Sequence, residues 1–193
     1  MENTIEILAA WREYQALPDS EWRKDYFNEA TGGFVATHIY KERDDLRRPG
    51  IAAEVRACFK LAKNGKHVLR LPENIPDLID EIAIAGIPYR KMLKFKPGET
   101  NPRGYPDAYF DGQTWDFKAS ISENEDTLRQ LIKDGRKADN VIFISTEKTI
   151  NNCLAIQSAI GREYGRRLKN GTWREMPNVY CFSTDQLYVI WKK

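Results

Sequence analysis

Residues 104–118 read GYPDAYFDGQTWDFK, and two strand-like runs can be taken directly from this stretch. YPDAYF and QTWDFKA are joined by Asp111-Gly112, a pair whose tolerance of positive φ suits the two-residue turn of a β-hairpin. Side chains alternate along a strand, so Asp116 and Lys118, two apart, project from one face. Across the short turn, Asp107 lies on the neighbouring strand at nearly the same level. A polar segment runs from about Glu123 to Ala138, with Leu128, Leu131 and Ile132 at helical spacing. VIFIST (141–146) is then an unbroken apolar run of the kind buried on both faces of a sheet. Strand, helix and second buried strand make a crossover unit, whose strands pair in parallel. Hairpin and parallel pairing therefore coexist, and the fold class is α/β with a mixed central β-sheet flanked by helices.

Upstream, Ile51, Val55, Cys58, Phe59 and Ala62 recur at helical spacing before an Asn64-Gly65 stop. HVLRL (67–71) reads as a strand, and 76–85 as a helix opened by Pro76 and closed by Gly86. PYRKMLKF (88–95) reads as a strand, followed by the loop KPGETNPRG. Before these, FVATHIY (34–40) opens as a strand after Gly32-Gly33, and KERDDLRRPG (41–50) is a charged loop ending in a Pro49-Gly50 turn. The first thirty residues read as two short helices, 3–16 and EWRKDYFNEA (21–30), separated by Pro18-Asp19-Ser20. That gives an N-terminal helical extension over 1–31 and a single domain over 32–193. Downstream, a long helix over 149–168 precedes the strands NVYCF and LYVIW.

The chain has 193 residues, enough for one domain to bury about 70% of the surface its unfolded form exposes. Its 30 Lys+Arg and 28 Asp+Glu leave a net charge of +2, which excludes a highly basic chromatin-type protein. With 41% hydrophobic residues it is not a disordered chain, and no run approaches the length of a transmembrane helix. The opening MENTIEILAAWREYQ lacks a basic stretch followed by an apolar one, so a cytoplasmic location and no membrane partner are expected. Cys58, Cys153 and Cys181 form no CxxC pair and read as small buried hydrophobes of a reducing compartment. Neither GxxxxGK[ST] nor GxGxxG occurs, so no nucleotide cofactor is expected.

The hairpin brings two carboxylates and an amine toward one point. Carboxylate oxygens suit Mg²⁺ or Mn²⁺, and one or two of them with water and a phosphate make an ordinary magnesium site. Lys118 is placed to orient or help deprotonate a water, or to offset developing negative charge. Glu54 flanks the apolar stripe of the 51–63 helix, where a buried carboxylate needs a partner; a metal shared with Asp107 and Asp116 would supply one.

Glu54 on a helix, Pro106-Asp107 on one strand and Asp116-Phe117-Lys118 on the next resemble the PD-(D/E)XK nuclease superfamily, over about residues 50–146. The stretch GYPDAYFDGQTWDFK, with the helix and strand after it, also looks like the C-terminal tRNA-nuclease domains of contact-dependent growth inhibition toxins and related phage-associated modules. The resemblance implies a restriction-endonuclease-like core and a metal-dependent endonuclease. Glu54, Asp107 and Asp116 would hold Mg²⁺ or Mn²⁺, and Lys118 would position the attacking water. It implies nucleic acid as partner, with RNA (tRNA) preferred and DNA the alternative, and, for a toxin, a cognate immunity protein. A non-catalytic nucleic-acid-binding or phage-associated module of the same fold is the other class. The family often adds a polar or basic residue on the helix after the lysine; Gln130, Lys133 and Arg136 are the candidates. His38 is a further candidate for contacting phosphate. The cluster Arg162, Arg166, Arg167, Lys169 and Arg174 reads either as a phosphate-binding patch or as a solvated helix face.

Overall fold

The computed structural model describes residues 2–41, 49–119, 124–144, 149–183 and 186–193. In chain order, helix α1 (Glu2–Ala16) leads to strands β1 (Trp22–Phe27) and β2 (Phe34–His38), helix α2 (Pro49–Lys63) and strand β3 (His67–Arg70). A small ribbon of β4 (Ala83–Ile84) and β5 (Ile87–Pro88) and the one-turn helix α3 (Tyr89–Met92) precede the hairpin β6 (Ala108–Phe110) and β7 (Gln113–Lys118). Helix α4 (Glu125–Asp134), β8 (Asn140–Ile144), α5 (Thr149–Lys169), β9 (Asn178–Ser183) and β10 (Gln186–Trp191) complete the order.

Eight strands form one mixed sheet in the order β1-β2-β3-β6-β7-β8-β9-β10. Helices α2, α4 and α5 each carry a crossover between parallel neighbours: β2 to β3, β7 to β8 and β8 to β9. The other pairings are antiparallel, with β3, β6 and β7 forming a three-stranded meander. The β6–β7 turn is the one the Asp-Gly pair calls for, with φ of 52° at Asp111 and 73° at Gly112 and Ala108 opposite Trp115. Among the described residues no helix is long and apolar enough to cross a membrane.

Alternation along the strands divides the core. Val35, Val68, Phe110, Trp115, Phe117, Ile142 and Tyr180 pack with α2 on one face. On the other, Phe34, Ala36 and Leu69 pack with Tyr14 of α1 and the segment after β3. Val141, Phe143, Val179 and Cys181 pack there too, with α4 and α5. Asp116 lies between Trp115 and Phe117, so its side chain leaves the α2 face and turns toward α4.

Four expectations are corrected. Residues 22–27 are a strand rather than part of a helix: β1 pairs antiparallel with β2, Trp22 opposite His38. Its Trp, Tyr and Phe suit a pleated edge, and pairing overrides the helical spacing. The hairpin spans the expected 31/32 boundary, so the N-terminal segment is partly built into the sheet. Pro76 opens only a 3₁₀ turn (Pro76–Leu78), because Ala85 and Gly86 adopt φ of 49° and 75° and fold Ala83–Ile84 back onto Ile87–Pro88. Residues 89–92 are a helical turn rather than a strand; Tyr89 and Met92, three apart, are buried together, and Tyr89 Oη donates to the Pro72 carbonyl at 2.7 Å. Pro49-Gly50 is also not a turn but the start of α2, where proline's missing N–H costs nothing. Residues 42–48 of the charged loop, Glu123, and residues 145–146 of VIFIST lie outside the described residues.

Candidate active site

At one end of the sheet β3 and β7 finish, β6 begins and α2 starts. The cavity there has a volume of about 440 Å³, and Lys41, Glu54, Arg70, Asp107, Asp116, Lys118 and Lys137 are among its lining. Gly50 and Ile51 of the first turn of α2 also line it.

Asp107 stands just before β6 and is held by its backbone on both sides. Its N–H donates to the Trp115 carbonyl at 2.8 Å, and its carbonyl accepts from Leu71 N–H at 3.0 Å. Its Oδ2 accepts from Phe117 N–H at 2.7 Å, which fixes the carboxylate against β7. Asp116 is 1% exposed. Lys118 Nζ lies 2.6 Å from its Oδ2, as two residues on one strand face should.

Lys137, just after α4, reaches both carboxylates: its Nζ is 3.1 Å from Asp107 Oδ1 and 2.9 Å from Asp116 Oδ1. Gly135 makes this approach possible. A Cβ there would stand 2.1 Å from Val141 Cγ2 and 3.4 Å from Asp116 Oδ2, so only glycine lets the 135–137 turn lie against β8.

The electrostatics stem from burial and these contacts. Burial pushes the Asp116 pKa up to about 6; the Asp107 charge adds to it, and Lys137 and Lys118 offset only part. For Asp107 burial acts upward as well, but Lys137, Lys41 and the Phe117 amide outweigh it and hold the group below its ordinary value. Burial opposes the charge on Lys137, yet Asp107 and Asp116 keep its pKa above that of an ordinary lysine. The two aspartates thus behave as a pair that demands a cation between them.

Glu54 lies in the same cavity but faces other partners. Its Oε1 accepts from Arg70 Nη2 at 3.0 Å and lies 3.2 Å from Lys41 Nζ. Burial raises its pKa despite these cations. Lys41 also pairs with Glu73 and lies 3.5 Å from the Asp107 carbonyl. Arg70 is 1% exposed and reaches back to Thr37 Oγ1 at 3.4 Å.

Whether these residues suit a divalent cation turns on the aspartate pair. Both carboxylates already converge on one cationic atom, Lys137 Nζ, and both Asp116 oxygens are buried without a hydrogen bond of proper geometry among the described residues. Two carboxylates completed by water and phosphate are a normal donor set for Mg²⁺. Among the described residues no group of three or more His, Cys, Asp or Glu side chains is arranged to hold a metal. The donor set the chain offers is thus the aspartate pair, its meeting point taken by Lys137 Nζ, with Glu54 turned aside to Arg70 and Lys41.

The expected site residues fall into two sets. Glu54, Asp107, Asp116 and Lys118 line one cavity. His38, Gln130, Lys133 and Arg136 do not line it. His38 is buried edge-on against Trp22 at 5.0 Å, its Nδ1 accepts from Tyr40 N–H at 3.2 Å, and burial lowers its pKa to about 4. Gln130 bonds Asp134 on the exposed side of α4, and the Lys133 carbonyl accepts from Arg136 Nε. Arg136 lines a second cavity. The basic cluster of α5 is divided: Arg162 pairs with Glu125, while Arg166 and Arg167 pair with the fully buried Glu163. Four cavity residues had no sequence signal. Lys41 and Glu73 stand in or beside loops, Arg70 ends a strand that reads as apolar, and Lys137 lies one position past Arg136.

Comparison with models of known protein families, with curated proteins and with solved structures gave no match.

Proposed function

We propose that the chain is a metal-dependent nuclease of the PD-(D/E)XK type, hydrolysing phosphodiester bonds in RNA. The observation that carries this reading is the meeting of Asp107 and Asp116 on one cationic point, with Lys118 Nζ 2.6 Å from Asp116. The order of elements supports it: α2, the meander β3-β6-β7, the α4 crossover and β8 come in the order of a restriction-endonuclease-like core. So does the first turn of α2 at the cavity wall, since the start of a helix favours a phosphate.

Asp107 and Asp116 would hold a divalent cation, which would supply Lewis-acid polarisation of a phosphoryl oxygen and activation of water. The chain's own groups do the rest. Asp107, fixed by the Phe117 amide, presents one oxygen at a set position. Lys118 orients the attacking water and shares charge with the phosphoryl group. Lys137, which reaches both aspartates, would share charge with the phosphate. Arg70 and Lys41 hold Glu54 at the cavity wall. The preference for RNA, tRNA in particular, and for a cognate immunity protein covering the cavity rests on the likeness of residues 104–118 to toxin nuclease domains.

The test is cleavage of total tRNA, plasmid and single-stranded DNA with Mg²⁺, Mn²⁺ or EDTA, comparing wild type with Asp116→Asn and Lys118→Ala. Cleavage of tRNA that EDTA and both substitutions abolish is expected, and cleavage of the DNA substrates alone would replace RNA by DNA. One observation favours a second reading: Lys137 already neutralises the aspartate pair, as a fixed cation would in a metal-independent nucleic-acid-binding module. Binding without cleavage of any substrate under any metal would establish that reading instead.

A further inference from the structure

A second cavity, of about 380 Å³, lies on the other side of the 136–138 segment. Arg136 and Lys137 are consecutive, yet Arg136 lines this cavity and Lys137 the first. Gly104 marks the wall between them: a Cβ there would stand 3.2 Å from Lys137 Cδ, and its neighbour Arg103 lines the second cavity. The two cavities are thus one side chain apart.

The charges of this cavity do not cancel. Its Asp139 is committed, taking Lys94 Nζ at 2.6 Å and the N–H and hydroxyl of Thr114 at 3.1 and 2.8 Å. That leaves Arg103, Arg136, Arg174 and Lys193, whose Nζ donates to the Arg174 carbonyl at 3.3 Å, facing one side-chain carboxylate, Glu175. Glu175 Oε2 accepts from Arg103 Nη1 at 2.8 Å and lies 3.9 Å from Arg136 Nη1. Arg174 is exposed and lies over the Trp173 ring at 5.4 Å. A fourth guanidinium stands nearby, its Nε already paired with the buried Glu163 at 2.6 Å. Arg167 is 1% exposed, and its two terminal nitrogens have no hydrogen-bond partner among the described residues; its charge acts on both Arg136 and Glu175. Arg103 Nε is likewise buried without a partner among the described residues. Guanidiniums held together with too few carboxylates are arranged for an oxyanion, and their planar forks match phosphate.

We propose that this cavity binds a phosphate group of a nucleic-acid strand, one or more nucleotides away from the bond cleaved in the first cavity. The proposal rests on the nuclease reading for its ligand but has an independent test. Its signature is a pair of opposite effects. Arg103→Gln and Arg174→Gln remove attraction, whereas Glu175→Gln removes the one carboxylate competing with the incoming phosphate. A mere salt-bridge cluster would lose order in the same direction with either partner gone.

The experiment is fluorescence anisotropy of a short labelled single-stranded RNA with the full chain in EDTA, where binding is read without turnover, across a salt series. Arg103→Gln and Arg174→Gln are expected to weaken binding. Each should reduce the loss of affinity between roughly 50 and 200 mM salt by about threefold per contact removed. Glu175→Gln is expected to tighten binding. Arg174 is exposed, so its variant does not put folding at stake, and a thermal melt checks the other two. Unchanged affinity in all three, or a shift of one sign in all three, overturns the proposal. Inorganic phosphate displacing the RNA only from proteins that retain the arginines supports it; wild type that takes up inorganic phosphate but shows no RNA affinity assigns the cavity to a free anion and overturns the strand. Failure here with cleavage intact in the metal-dependent assay leaves the nuclease reading standing. Opposite shifts here without any cleavage leave the phosphate site and remove the nuclease.

Discussion

Replacing Lys137 by methionine keeps the side chain up to the position of Cε and deletes the cation between Asp107 and Asp116. Lys137 Nζ is within 3.1 Å of both, and its side chain is 21% exposed against 11% and 1% for the aspartates. Removing one member of a fully buried charge pair costs about 3–5 kcal/mol, and the partial exposure of Lys137 places this case near about 3 kcal/mol. For a chain of this length that lowers Tm by roughly 6–12 °C. The cost has a definite pH dependence. Asp116 already has its folded pKa raised from the ordinary carboxylate range to about 6, so its ionisation in the fold costs stability increasingly as pH rises through that range. Without Lys137 that pKa rises further; the destabilisation relative to wild type is therefore largest at pH 8 and shrinks below about pH 6, where the aspartate takes up a proton. A divalent cation replaces the missing charge: Mn²⁺ at a hundred times its Kd restores about 2.7 kcal/mol. Urea or thermal unfolding in EDTA and in Mn²⁺, at several pH values, reads all three effects. A Lys137→Met variant as stable as wild type at pH 8 and indifferent to Mn²⁺ would refute the reasoning, because the aspartates would then not be a coupled pair needing a cation.

Lys118→Ala is expected to lower the cleavage rate by about 10²–10⁴-fold with the fold retained, and Asp116→Asn to abolish cleavage while leaving stability unchanged or raised, since it removes one of two buried like charges; initial rates and chemical denaturation of the same preparations check both. His38, with its folded pKa lowered to about 4, binds its proton later than the unfolded chain does, so stability falls as pH drops from about 6.5 to about 4, by on the order of 2–3 kcal/mol. His38→Asn should flatten that segment of the stability curve, and an unchanged slope would show that another group titrates there. Gly135→Ala, with its Cβ only 2.1 Å from Val141 Cγ2, should cost about 1–3 kcal/mol by overpacking and shift Lys137 from the aspartates, read as lost Tm together with an altered Mn²⁺ response.

The sequence carried the parts of this fold that rest on local chemistry. Asp111-Gly112 specified the hairpin turn, the unbroken apolar run at 141–144 a two-sided strand, and the spacing of Ile51, Val55, Cys58 and Ala62 the α2 stripe. The hairpin in turn put Asp107, Asp116 and Lys118 together, because strand period and turn length decide which side chains meet. What stayed hidden depends on distant chain. Trp22, Tyr26 and Phe27 fit a helix as well as a strand, and only pairing with β2 decides between them. Ala85 gives no sign that it will take a positive φ. Lys137 was hidden for a geometric reason: one residue past Arg136, it points to the opposite cavity, and its direction is set by how closely Gly135 sits on Val141.

The cavity's charges give these parts a common logic. Lys41, Arg70, Lys118 and Lys137 stand against Glu54, Glu73, Asp107 and Asp116, so the charges of the lining balance. A balanced cavity has no surplus attraction for a phosphodiester. Lys41 and Arg70 are already engaged by carboxylates at 3.2 Å or closer, and Lys137 by two. On the nuclease reading, a divalent cation would change this balance. Held by Asp107 and Asp116, it would leave the charge of Lys137 to an anionic strand. Cation and strand would then each favour the binding of the other, since each supplies charge that the other lacks. The second cavity needs no such step, because its arginines outnumber their carboxylate before anything binds. On the same reading it would hold a strand that the first cavity engages only once a cation is bound.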